Sequence, residues 1–298
     1  MIRLVISLAR ARRAYLLAAF ALLSTAAGCT AVQFSYNNAG GLVRYVVWEY
    51  VDLDGSQSQA LQQHVAHLQE WHRGSELPDY VQFLLSLKTR AGRGLTRPDV
   101  VWAIETLRQS YHRSAARAVE EAVPILTTLN AEQLASIERK FAKDDAKYVK
   151  EWLSGSMSRR ERYAADKMVE RFEEWTGNLR AEQEDRIRQF VRAHPRNAEL
   201  RLEDRRRWQR AALRLVRDAH SVDELAPELA RLFGEPDRDR GEDYLLETRR
   251  WESDLADLVL EIDRTFSGEQ RARVLRRIDR YAEDFKTLSR GSRVARAQ

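Results

Sequence analysis

Apolar residues recur at helical spacing along most of the chain. Leu61 and Val65 stand four and eight positions after Gln57, and three later glutamines are followed by apolar residues at the same steps. Such steps place side chains along one stripe of an α-helix. No run of alternating β-branched residues competes with this pattern, and only 6 prolines interrupt the 298 residues. The sequence therefore predicts an all-α protein of successive antiparallel helical hairpins that form an elongated helical bundle.

The four glutamines belong to a weak internal repeat at residues 53–57, 129–133, 179–183 and 266–270. Asp54, Asn130 and Ser267 stand three positions before their glutamines, as in the capping box of a helix start. The third copy has Arg180 there, which offers no acceptor. We interpret the segments as capped turns between antiparallel helices. They also resemble the L-T-x-x-Q motif of Spy/CpxP-type periplasmic chaperones, which are all-helical cradles, and that resemblance implies a holdase.

Two prolines mark expected helix starts. Pro78 follows Glu76 and Leu77, and Pro98 follows Thr96, so that both suit the first turn of a helix. We therefore expect one helix to begin close to Pro78 and another close to Pro98.

The first residues resemble the signal of a bacterial lipoprotein. Four arginines precede an apolar run at 14–23, which is too short to cross a bilayer. Small residues then lead to Cys29, the single cysteine, and 26–29 (A-A-G-C) resembles a lipobox with alanine where leucine is usual. We expect a signal peptide at 1–28, lipidation of Cys29, a tether over 29–35, a helical periplasmic domain over 36–288 and a basic flexible tail over 289–298.

Removal of this leader changes the charge of the chain. The full sequence has 50 Lys and Arg against 45 Asp and Glu, and residues 1–28 hold four arginines and no acid. The remaining chain then has 46 basic and 45 acidic residues, a net charge of +1. A nucleic-acid-binding protein is expected to keep a basic excess on one face. We therefore predict no nucleic-acid partner.

Four short motifs after Cys29 resemble a family of proteobacterial lipoproteins to which no activity is assigned. They are Y-N-N-A at 36–39, Y-V-D-L-D at 50–54, W-H-R at 71–73 and E-L-P-x-Y at 76–80. The resemblance implies a helical, envelope-anchored protein. Residues of these motifs form the candidate binding surface: Tyr36, Asn37, Asn38, Trp71, His72, Arg73 and Glu76.

His72 falls on the apolar stripe of the helix that follows Gln57. We expect its ring to be buried at a helix end, with Asp52 or Asp54 as partner. A pH-sensitive contact is the alternative, because histidine titrates near neutral pH.

Signals of catalysis are missing from the sequence. It has no G-x-S-x-G elbow, no P-loop and no G-x-G-x-x-G. His64, His67 and His72 lack a Glu or Cys at a recognised ligand spacing. Asp144 and Asp145 are adjacent carboxylates that we interpret as a solvated helix face. We therefore predict no enzyme, no catalytic residue, no metal and no cofactor.

The segment 39–51 is short and unusually aromatic, with Tyr45, Trp48 and Tyr50 among valines. Two locations are open for it. It could lie at the bilayer interface, where Trp and Tyr are favoured. We prefer the core, because apolar residues surround most of its circumference.

These features together predict a lipid-anchored envelope protein that faces the periplasm. Thr30 after Cys29, in place of aspartate, favours the outer membrane. We expect a binding or scaffold protein whose partners are the membrane, through its lipid, and another envelope protein. A chaperone-like holdase is the alternative, and a small-molecule ligand remains unassigned.

Overall fold

The computed structural model describes residues 30–295 and the side chains of residues 30–291. Eleven α-helices and no strand occupy these residues, which confirms the predicted all-α helical bundle. The helices are α1 Ala31–Asn37, α2 Ala39–Tyr50, α3 Gly55–Gly92, α4 Arg97–Leu126, α5 Ala131–Tyr148, α6 Met157–Thr176, α7 Ala181–Ala193, α8 Asn197–Asp218, α9 Val222–Gly234, α10 Glu242–Arg264 and α11 Gly268–Ala295, with a π-helical segment, Val149–Leu153, between α5 and α6.

The chain divides into two compact units, residues 1–39 and residues 40–298. The predicted signal peptide and Cys29 lie outside the described residues. In the first unit, Thr30 caps α1 by accepting a hydrogen bond from the Gln33 backbone at 3.2 Å. Among the helices within residues 30–295, none is long and apolar enough to cross a bilayer. In the second unit, α11 extends to Ala295, so that most of the expected tail continues a helix.

The helices of the second unit pair only partly in chain order. The expected hairpins form between α3 and α4, between α6 and α7, and between α8 and α9. The most extensive packing, however, joins α3 to α11, more than 170 residues later in the chain. The consecutive helices α10 and α11 make their principal contacts with other helices. The first and last long helices therefore close the bundle, which periodicity alone does not predict.

The apolar interior consists of several clusters, each between particular helices. One cluster joins α6, α7 and α10 around Ile187 and Ile262, which are 0% and 1% exposed. A second joins α4 and α9 around Val123 and Leu225. A third lies where α3 meets α11, around Ile278. Each buries the apolar stripes that the helical periodicity predicts.

Pro78 does not begin a helix, contrary to the sequence-based expectation. It lies inside α3, which runs unbroken for 38 residues. A proline within a helix removes one hydrogen bond, and its ring crowds the residue four positions earlier. That residue is Gly74, and the burial of the neighbouring Leu77, 1% exposed, holds the turn in place. Pro98, by contrast, stands in the first turn of α4, as predicted.

The repeated segments cap helices, as we interpreted them. The side chains of Asp54, Asn130 and Ser267 accept hydrogen bonds from the glutamine backbone N–H groups at 2.8, 2.9 and 3.1 Å. In all four copies the glutamine Oε1 accepts the N–H of the N-cap residue, at 2.9 to 3.1 Å. Arg180 takes part only through this second bond, because its side chain has no acceptor.

Two of the repeats also bind each other. Gln133 Nε2 donates to Gln57 Oε1 at 2.7 Å, and Gln57 Nε2 donates back to Gln133 Oε1 at 3.2 Å. Gln57 Nε2 also donates to the carbonyl of Thr128 at 2.9 Å, and Gln133 Nε2 donates to the carbonyl of Asp52 at 2.8 Å. Each amide therefore crosses to the turn that precedes the other helix.

The other two repeats form the same arrangement. Gln270 Nε2 donates to Gln183 Oε1 at 3.0 Å, and Gln183 Nε2 donates back at 3.3 Å. The second bonds of these amides reach Thr265 Oγ1 and the Asn178 carbonyl, both at 3.0 Å. Gln183 is only 1% exposed. The four capping glutamines therefore form two hydrogen-bonded amide pairs. Each pair joins the starts of two helices that are distant in the chain.

Candidate functional site

An apolar groove lies between α2, α3, α4 and α5. Its cavity measures about 370 Å³. A second cavity of about 270 Å³ lies between α4, α5, α8 and α9 and shares part of its wall. The residues common to both walls are Ala118, Ala122, Leu126, Leu129 and Ile137. We call the first cavity the apolar groove.

Small side chains on α4 leave the space for this groove. Ala115, Ala118 and Ala122 follow one another at steps of three and four, so that they share one face of α4. Ala118 and Ala122 line both cavities, and Ala115 lines the second. A methyl group fills far less volume than leucine, which would close the gap between the helices. This alanine stripe is visible in the sequence, but a search for large apolar residues at helical spacing passes over it.

Helix α2 forms the outer wall of the groove and not part of the core. It contains no buried residue, and Trp48 is 68% exposed. The expected core location of segment 39–51 is therefore wrong. Only Val51, just after the helix, is buried, at 5% exposure. The valines of α2 face the groove, while Tyr45 and Trp48 lie on its exposed side with their ring centroids 6.4 Å apart.

Polar contacts fasten the end of α2 to α5. The Tyr50 hydroxyl donates to Asp144 Oδ2 at 2.8 Å, and Lys140 Nζ donates to Asp144 Oδ1 at 2.8 Å. Burial, together with the hydrogen bond to Asp144, raises the pKa of Tyr50. The neighbouring Asp145 is 5% exposed and accepts from Arg206 Nε at 3.0 Å. The two carboxylates are thus separate structural ion pairs, and the predicted solvated face is wrong.

The predicted binding surface divides between the two units. Tyr36, Asn37 and Asn38 belong to the first unit. In the second, Glu76 is 2% exposed and forms a bidentate ion pair with Arg113, with N–O distances of 2.9 and 3.0 Å. Glu76 is therefore an interior partner of α4 and not part of a surface.

The other three residues of that surface lie on α3, which packs against α11. His72 contacts Tyr80, with its Nε2 3.5 Å from the hydroxyl. Asp52 and Asp54 precede the start of α3, about 27 Å or more from His72 along the helix, so neither is its partner. Burial lowers the pKa of His72, partly opposed by the charge of nearby Glu76. Trp71 lies half-buried beside it, and Arg73 Nη1 donates to the Leu288 carbonyl at 3.3 Å. Whether these residues bind a partner stays a prediction.

Of the three histidines considered as metal ligands, His64 and His67 lie close together, and His72 lies apart from them. His64 and His67 lie one turn apart on α3, and both face Glu121 of α4. His64 and Glu121 also line the apolar groove. A carboxylate from another helix thus completes the set that the linear spacing lacked.

A larger cavity, of about 500 Å³, lies among the π-helical segment, α6, α7, α8 and α10. Trp152 and Trp251 line it. Trp152 stacks on Tyr148 with ring centroids 5.9 Å apart, and Trp251 lies beneath the guanidinium of Arg201 at 5.1 Å. Three of its cationic side chains are already engaged in ion pairs: Arg160 with Glu199 at 3.0 Å, Lys167 with Glu170 at 2.7 Å and Arg171 with Glu174 at 3.7 Å. We therefore regard the apolar groove as the better candidate site.

Comparison with known proteins places the chain in a family. The model of DUF6279, a family of unknown function, matches residues 49–245. The chain belongs to this family. That confirms the predicted membership of a family without an assigned activity. The matched region contains the groove walls on α3, α4 and α5, and the Glu76–Arg113 pair. The first motif, at 36–39, and all of α11 lie outside it. No curated protein and no solved structure matches the chain.

Proposed function

We propose that this protein is a lipid-anchored protein of the bacterial envelope that binds the acyl chain of an amphiphile in its apolar groove. The observation that carries the proposal is the groove itself, whose wall is almost wholly aliphatic. Ligand sites are usually concave and mostly apolar, with a few polar groups.

The chemistry of the wall favours an acyl chain over a peptide. A buried peptide segment needs partners for its backbone N–H and C=O groups. The polar side chains in the wall of the groove are those of Tyr50, His64 and Glu121, and each of these has a protein partner. A hydrocarbon chain needs none, and burial from water stabilises it by about 0.8 kcal/mol per methylene.

The anchor rests on the lipobox-like sequence that ends at Cys29. The exposed side of α2 adds a second attachment, because Tyr45 and Trp48 are the residue types favoured at a bilayer interface. We propose that the protein faces the periplasm from the outer membrane, as Thr30 favours. Metabolic labelling of cells with radioactive palmitate tests the anchor, since the wild-type chain should incorporate the label and Cys29→Ser should not; absence of label from the wild-type chain would refute the anchor.

Titration of the purified chain with a fluorescent palmitate analogue tests the binding function. Ala118→Phe places a ring in the groove and should weaken binding by at least about tenfold. Ala116→Phe is the matched control, because Ala116 is exposed on the same helix. Equal binding by the two variants, or no binding by the wild-type chain, would refute the proposal.

The holdase alternative uses the same uncovered apolar surface. It requires that the chain suppress aggregation of an unfolded client and that Ala118→Phe abolish this effect. Suppression of client aggregation without palmitate binding would refute the acyl-chain proposal and support the holdase.

A further inference from the structure

Three potential metal ligands meet at the junction of α3 and α4. His64 Nδ1 lies 2.7 Å from Glu121 Oε2, and His67 Nδ1 lies 3.7 Å from the same oxygen. All three ligand atoms lie within 4.8 Å of one another. We propose that His64, His67 and Glu121 form a Zn²⁺-binding site. This proposal is independent of acyl-chain binding.

The donor set and its spacing suit zinc. Zinc binds imidazole nitrogen and carboxylate oxygen at about 2.0–2.2 Å, so that tetrahedral ligand atoms lie about 3.4 Å apart. The observed separations, from 2.7 Å to at most 4.8 Å, bracket this value. Shifts of about an ångström, within the rotamer freedom of His67, therefore close the site. Two imidazoles and one carboxylate leave the fourth position to water.

The surroundings hold the three ligands to different degrees. Glu121 is 8% exposed, and the side chain of His64 is 26% exposed, so both are held by their surroundings. His67 has a side chain that is 63% exposed and gives access from solvent. His64 and His67 stand at positions i and i+3 of α3, which puts them on the same face.

Arg117 orients the carboxylate and does not block it. Its guanidinium binds Glu121 Oε1 one helical turn away and also binds Glu120 at 2.8 Å. The other oxygen, Oε2, is the atom that faces both histidines. A hydrogen-bonded carboxylate of this kind resembles the outer-shell support that ordinarily fixes metal ligands.

Zinc titration of the full chain, purified without a histidine tag and stripped with a chelator, tests the proposal. We expect calorimetry to show one Zn²⁺ per chain, and Co²⁺ to give the intense visible absorption of tetrahedral coordination. His67→Ala and Glu121→Gln should each weaken Zn²⁺ binding by at least about tenfold. His220→Ala should bind like the wild type, because His220 is exposed and lies outside the cluster.

His67→Ala keeps the test decisive even if Glu121→Gln fails to fold, since an exposed side chain contributes little to stability. The proposal is wrong if the wild-type chain takes up no Zn²⁺. It is equally wrong if His67→Ala binds as tightly as His220→Ala. In either case the cluster is only a hydrogen-bonded contact between helices.

Discussion

Replacement of Gln57 by leucine should destabilise the fold well beyond the loss of a surface contact. The change removes both bonds to Gln133, the bond to the Thr128 carbonyl and the bond from the Asp54 N–H. Gln57 and Gln133 are 5% and 9% exposed, so water cannot replace these bonds freely. A buried polar group left without its partner costs about 1–3 kcal/mol.

Of the groups that lose Gln57 as a partner, the Gln133 amide is buried, whereas the Thr128 carbonyl and the Asp54 N–H belong to exposed residues that water reaches. The expected loss for Gln57→Leu is therefore about 1–3 kcal/mol in the free energy of unfolding, from the Gln133 amide left without its partner. The double variant Gln57→Leu/Gln133→Leu should lose about 1–3 kcal/mol less than the sum of the losses in the single variants. Removal of both amides leaves neither one buried without its partner. Urea unfolding followed by circular dichroism measures all three values.

Gln63→Leu is the matched control, since Gln63 is exposed on the same helix. It should change stability by less than about 0.5 kcal/mol. Strictly additive losses in the double variant would refute the reciprocal pair as a coupled unit. A loss for Gln57→Leu no larger than that for Gln63→Leu would refute its burial.

Two further predictions concern buried carboxylates. Arg113→Met leaves the Glu76 charge buried without its partner and should lower the free energy of unfolding by about 3–5 kcal/mol. Arg108→Met removes an exposed pair and should lower it by less than about 1 kcal/mol. Similar losses for the two variants in urea unfolding would contradict this prediction. The Thr96 hydroxyl, with help from Arg90, holds the pKa of Asp99 well below its usual range. A carboxyl of this kind stabilises the fold above about pH 4 and loses that effect as the pH falls. Asp99→Asn should therefore lower the melting temperature more at about pH 7 than at about pH 3, and an equal decrease at both would show that the charge of Asp99 is not stabilising.

The helices and their starts were predictable because the signals are local. A capping box needs only the residues from N-cap to the third helical position, and Asp54 with Gln57 shows both of its bonds. Pro78 shows the limit of a local rule. Its preference for a first turn is outweighed by packing of Leu77 in the interior of α3.

The site residues were predictable only as chemical types. The sequence singled out Glu76 and His72, but not that Glu76 binds Arg113, 37 residues away. It also contained His64 and His67 one turn apart, while their carboxylate, Glu121, stands 57 residues after His64. Spacing along the chain cannot reveal such partners, because they belong to different helices.

What the sequence determined by itself is the class of the protein: helices, their apolar stripes, their caps and membership in one family. Those features depend on residues within a few positions of one another. Only the tertiary structure decided that α11 closes on α3, that the four glutamines form two pairs, and that α2 lies outside the core above an open groove. These outcomes depend on which stripes meet, and an apolar stripe can pack against any complementary stripe, since burial from water is not directional.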